Sequence, residues 1–228
     1  MDKNYRHELK YYINYLDYLK LADRIKGVFT RDIHCQKSGY AVRSLYFDNK
    51  SNHSYYHKIA GISERNKYRV RLYDLNPHPI KLEIKSKSDN YIYKQSVAIT
   101  RDQVFDLMSG RYRFLLGKKH LTANLVYAEF SKDRYHPAVV VDYFRDAYFY
   151  NTPELRVTFD RFLGKNETDF GRFFQSDLVL DRLLGSKKMI MEIKYRHNIP
   201  VWIKKILQVG SFESCAISKY TLSRYIEG

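Results

Sequence analysis

Arg65, Lys67, Arg69 and Arg71 recur at every second position, with Asn66, Tyr68, Val70 and Leu72 between them. In an extended strand successive side chains point to opposite faces. This spacing therefore puts four cations on one face, with Tyr68, Val70 and Leu72 packed behind. A second run repeats the pattern: Lys81, Glu83, Lys85 and Lys87 alternate with Leu82 and Ile84. Asn76-Pro77-His78-Pro79 between the runs reads as a turn. The two runs are thus predicted to form a hairpin with seven cations and one carboxylate on one surface. Like charges on neighbouring strands repel. Such a face either shows its charge to water, as half-buried antiparallel sheets commonly do, or binds a polyanion.

The elements that must position these residues follow from the rest of the chain. Its 228 residues, 44% hydrophobic and 16% aromatic, are enough to build a core, and no linker, repeat or low-complexity tract divides it. We expect a single domain over residues 1–228. Lys and Arg total 40 against 25 acids, a net charge of +15. That excess concerns partners: nucleic acid, acidic membrane or a phosphorylated molecule. No 18-residue apolar run could span a membrane, and the N-terminus does not read as a signal peptide. Cys35 and Cys215 are unpatterned and read as reduced thiols. A cytoplasmic location is expected.

Strands are predicted over Tyr5–Ile13, Lys37–Asp48, Tyr91–Ile99, Pro137–Tyr150, Leu155–Asp160 and Met189–Arg196. Asn14 can cap a helix carrying Leu16, Leu19, Ile25, Val28 and Phe29 near helical spacing, and Thr100 can cap another. Weak helical character runs over 111–133, a loop over 163–177, and helices over Lys50–Ile59, after Pro200 and in the tail. His53 and His57, four apart, read as surface histidines rather than a metal pair.

The charged faces then repeat across the chain: Arg6/Glu8/Lys10, Arg43, the central hairpin, Lys94, Arg145, Arg156/Asp160 and Glu192/Lys194/Arg196. Three strands carry Glu-x-Lys: Glu8–Lys10, Glu83–Lys85 and Glu192–Lys194. If the sheet closes into a barrel, these faces line a lumen and the apolar faces pack outward against helices. A lumen of Lys and Arg must hold anions. Its few carboxylates suit a divalent cation, because Mg²⁺ and Mn²⁺ prefer oxygen ligands. Neither GxxxxGK[ST] nor a strand-linked GxGxxG is present, so side chains must grip phosphate.

The Glu-x-Lys strands, SLYFD, KYRVRLY followed by LEIK, MEIK and the late SKY together resemble the vacuolar transporter chaperone (VTC) polyphosphate polymerase domain of the CYTH, or triphosphate tunnel metalloenzyme, superfamily. The resemblance covers nearly the whole chain in order. It implies an α+β fold: a closed antiparallel β-barrel, the triphosphate tunnel, with helices around the outside. It also implies ATP as donor, inorganic polyphosphate as product and a divalent metal, Mn²⁺ or Mg²⁺. It leaves room for a membrane protein partner, and nucleic acid is not expected. By motif, Lys10, Arg69, Arg71, Lys85 and Lys94 correspond to phosphate-gripping cations. Tyr143 and Arg145 correspond to a Tyr-x-Arg segment, Arg156 to a later arginine, Glu192 to the metal carboxylate and Lys194 to a neighbouring cation. Ser218 and Lys219 correspond to the terminal Ser-Lys pair. Ala216 stands where fungal members carry another lysine. Glu8 and Glu83, read from the strand pattern alone, are either further metal ligands or ion-pair partners.

The implied chemistry is in-line attack of a terminal phosphate on the γ-phosphorus of ATP, with Arg69, Arg71, Lys85, Arg145 and Lys219 as the catalytic cations. Two rivals stand beside it: a triphosphatase that admits water to the same tunnel, and a non-catalytic module binding polyphosphate. Nucleic-acid readers interleave aromatics with cations; here Tyr68 is expected to face away from Arg69 and Arg71, while Tyr73 shares their face.

Overall fold

The computed structural model describes residues 7–35, 39–88, 91–150, 155–185, 187–196, 198–207 and 212–224. Arg6 of the first predicted face lies outside them. The chain clusters into two compact units. One holds Met1–Ala41, Tyr143–Gly164 and Arg182–Ser218; the other holds Val42–Asp142, Lys165–Asp181 and Lys219–Gly228. The fold class is α+β, with antiparallel strand pairing.

In the first unit β1 (His7–Asn14) leads into α1 (Tyr15–Lys26). The Asn14 side chain accepts from the Asp17 amide at 2.9 Å, the predicted N-cap. The short strand β2 (Thr30–Arg31) pairs with the later part of β7, defined below. β10 (Lys188–Tyr195) lies between β1 and β8 (Leu155–Asn166), and α5 (Val201–Leu207) follows. Leu21 and Ile25 of α1 and Ile203 and Leu207 of α5 pack with Val157, Phe159 and Met191. The helices thus cover the apolar face of these strands. The buried face of α1 differs from the sequence reading: Tyr18, Leu21, Ala22 and Ile25 point inward, while Leu16 and Leu19 are 65% and 45% exposed. Tyr18 wins a core place because its hydroxyl donates to buried Asp146 at 3.0 Å.

The second unit contains most of β3 (Tyr40–Asp48), then α2 (His53–Ile59), β4 (Arg65–Tyr73), β5 (Asn76–Ser88) and β6 (Tyr91–Ile99). Next come α3 (Arg101–Met108), a 3₁₀ turn (Arg113–Lys118), α4 (Leu121–Asp133) and the start of β7 (His136–Tyr150). A two-residue strand β9 (Asp181–Arg182) pairs with β8, and α6 (Lys219–Ser223) comes last. The hairpin turn sits at Asp74 and Leu75, both at positive φ, with Tyr73 opposite Asn76. The prolines after it belong to β5, not to the turn. Likewise 163–166 continue β8, where a loop was expected. Val104 and Leu107 of α3 and Ala123, Val126 and Phe130 of α4 pack with Tyr68, Val70, Leu82 and Ile84. Here too the helices cover the apolar side of the sheet, and each fully buried Leu, Val or Phe contributes about 1.5–3 kcal/mol.

Candidate phosphate-binding site

Register fixes which charges meet in the second unit. Tyr46, Arg69 and Glu83 lie directly across β3, β4 and β5; Ser44, Arg71 and Lys81 form the next row; Lys67, Lys85 and Lys94 form a third across β4, β5 and β6. Directly opposite residues share a face. Arg65 opposite Lys87 adds a fourth row, so eight cations and one carboxylate occupy the face away from α3 and α4.

The carboxylate organises its neighbours. Glu83, fully buried, receives Arg69 Nε at 2.7 Å and Lys94 Nζ at 2.5 Å, one on each oxygen. Burial opposes its ionisation, but Arg69, Arg71 and Lys94 outweigh burial and hold its pKa down at about 2. Arg69 Nη1 also donates to the Tyr46 hydroxyl at 3.3 Å, and Arg71 Nε donates to Ser44 Oγ at 3.2 Å. Burial would raise the Tyr46 pKa, yet Arg69, Arg71 and Lys219 lower it on balance. Tyr46 and Ser44 were missed in the sequence because only strand pairing places them beside arginines.

Lys219 opens α6, and the next residue anchors that helix. Tyr220 OH donates to Asp48, and its ring lies 5.1 Å from Tyr46 and beneath Lys67 at 5.3 Å. Asp48 also accepts the amides of Ser54 and Tyr55 at 2.9 and 3.1 Å, tying down the start of α2. His53 and His57 stand on α2 with ring centroids 3.7 Å apart.

Arg43 does not join this face. It lies opposite Leu72, so strand parity points it toward the core side. There it is 3% exposed, donates to Asp142 at 2.7 Å and reaches the carbonyls of Phe173 and Gln175. Its charge is consumed by structure.

The first unit assembles the remaining residues. Glu8, Lys194 and Arg156 form one row across β1, β10 and β8, and Lys10, Glu192 and Thr158 the next. Lys10 Nζ is 3.3 Å from Glu8 and 3.7 Å from Glu192, and Lys194 Nζ is 3.7 Å from each. Arg145 bonds Asp160 through Nε and Nη2 at 2.7 and 2.8 Å and approaches Glu192 at 3.6 Å. Burial opposes its charge, but Asp160, Tyr143 and Glu192 raise its pKa well above the ordinary value. For Lys194, burial lowers the pKa in spite of Glu192 and Glu8. Arg145 lies over the Tyr143 ring at 5.2 Å. Arg156 bonds Asp32 and Tyr40 at 3.2 and 2.8 Å. Lys10 donates to the Ile217 carbonyl at 3.1 Å, next to Ser218.

The carboxylates differ in fitness for a metal. Glu8 and Glu192 share the same two lysines, and one or two carboxylates plus phosphate oxygens and water suffice for Mg²⁺. Glu83 has a cation on each oxygen and is engaged as an ion-pair partner. Among the described residues no group of three or more His, Cys, Asp or Glu gathers.

The model of the VTC domain matches residues 5–226. None of the curated proteins compared with this chain matches it. A crystal structure from Bacillus halodurans, described as a candidate adenylate cyclase, is similar in fold with a TM-score of 0.50 at 10% identity, covering 85% of this chain and 82% of that one. A similarly described protein from Vibrio parahaemolyticus gives 0.47 at 10% identity, covering 90% and 83%. No described helix is long and apolar enough to cross a membrane.

Proposed function

The chain belongs to the VTC domain family, and from that premise we propose that it is a polyphosphate polymerase, a single tunnel domain whose antiparallel strands close around a phosphate chain. The observation carrying this reading is the face of β4, β5 and β6, with eight cations and one carboxylate. Rows of like charge repel one another. A polyanion threaded along them would lower that repulsion.

Arg69, Arg71, Lys85 and Lys94 grip the triphosphate of ATP, the arginines through their planar donor forks. Glu83 sets the direction of Arg69 and Lys94 from behind. Lys10, Lys194, Arg156, Tyr143 and Ser218 line the path of the acceptor chain. A terminal phosphate oxygen of that chain attacks the γ-phosphorus. A new P–O–P bond forms, the bond from the γ-phosphorus to the β–γ bridging oxygen breaks, and ADP leaves. Charge balances without a proton, so no general base is required. Arg145 and Lys219 stabilise charge on the transferring phosphoryl group. Glu8 and Glu192 would hold the divalent ion, Mn²⁺ or Mg²⁺. When bound, it neutralises phosphate oxygens and both carboxylates and so frees Lys10 and Lys194 for the chain. ATP as donor places the reaction in the cytoplasm, and a membrane protein would receive the product.

The test is incubation of the purified protein with ATP and Mn²⁺, with products resolved on a polyphosphate gel. Long chains are expected. ADP and free phosphate without chains would make the protein a triphosphatase, and no turnover would reduce it to a binding module.

A further inference from the structure

Two buried polar atoms at positions of the same parity on β8 have no hydrogen-bond partner. They are the Thr158 hydroxyl and Arg156 Nε. Thr158 is 1% exposed, and it stands directly across from Glu192, as Arg156 stands across from Lys194. Both side chains therefore share the charged face of the first unit, on the side away from Val157, Phe159 and their helices. Arg156 Nη2 is held by Asp32 and Tyr40. Buried donors in folded proteins nearly always find acceptors, and an orphan calls for an explanation.

We infer that Thr158 is a ligand-contacting residue whose hydroxyl, with Arg156 Nε, donates to oxygens of the bound phosphate chain. The chemistry of the pair selects the ligand. A guanidinium nitrogen can only donate, so its missing partner is an acceptor. Lys10 and Lys194 stand in the same two rows, and they favour an anionic acceptor. The inference rests on the polyphosphate reading above and adds a residue that carries no charge and has no role in that reading.

The experiment is calorimetric titration of inorganic tripolyphosphate, with Mg²⁺ present, into wild type, Thr158→Val and Thr158→Ser, alongside melting of each protein without ligand. A hydrogen bond to a charged group predicts about tenfold weaker binding for Val and binding within about twofold of wild type for Ser. The ligand-free Val protein should melt no lower than wild type, since it loses an unpartnered hydroxyl. Wild-type affinity in the Val protein overturns the inference, whether or not its melting point falls. So does a loss in the Ser protein as large as in Val. If wild type itself fails to bind tripolyphosphate, it is the polyphosphate reading that falls.

Discussion

Replacing Glu83 by glutamine keeps the shape of the side chain and removes its charge, leaving Arg69 and Lys94 facing an amide. In the folded protein the carboxyl titrates at about 2, against an ordinary 4.5. That difference corresponds to about 3 kcal/mol of stability at neutral pH. Because the folded-state pKa is the lower one, the unfolded chain takes up its proton first as pH falls. The contribution is complete above about pH 5, falls to about 2 kcal/mol at pH 3.5 and is gone below both pKa values. For a chain of this length, a loss of about 3 kcal/mol lowers the melting temperature by about 6–12 °C. The assay is urea unfolding of wild type and Glu83→Gln at pH 7 and pH 3.5 in low salt, with thermal melts at pH 7. The expected gap narrows toward acid. A gap below about 1 kcal/mol at pH 7 would refute the ion-pair account. A gap unchanged between the two pH values would mean that amide packing, not charge, explains the loss.

Two further outcomes follow from the first unit. Arg145→Lys replaces a fork that bonds both oxygens of Asp160 with a single ammonium; it should cost about 3 kcal/mol in urea unfolding at pH 7, and a loss under 1 kcal/mol would contradict the assigned pairing. Gly39 sits at φ +93°, and a Cβ there would stand 2.4 Å from the Arg145 carbonyl oxygen. Gly39→Ala should therefore lower stability by about 2 kcal/mol or more and shift the melting temperature by several degrees; an unchanged melt would show that the backbone around Arg145 yields easily.

The period-two alternation over Arg65–Arg71 and Lys81–Lys87 was sufficient to place the hairpin and its charged face, because side-chain direction in a strand is set by parity alone. Parity within one strand does not reveal which side is the core, and so Arg43 looked like a ligand-facing cation. Its pairing opposite Leu72 and its bond to Asp142, distant in sequence, decide otherwise. The hairpin turn was misplaced for a chemical reason: two prolines are a strong turn signal, whereas Leu75 at positive φ is not a signal at all. On α1 the leucines outweighed Tyr18, whose burial depends on Asp146 in a strand far along the chain. Tyr46, Ser44 and Thr158 are uncharged and gain their roles from neighbours across strands. Nothing local marks them.

The carboxylate of Asp48 has one further consequence. It fastens the beginning of α2 and the hydroxyl of Tyr220 at once, so the last short helix acts as a clasp on a segment formed some 170 residues earlier. Proteolysis after Ser218 would therefore do more than shorten the chain. It would take away the ammonium group of Lys219 and the hydroxyl that Asp48 accepts beside the start of α2, which makes residues 219–224 a poor place to trim.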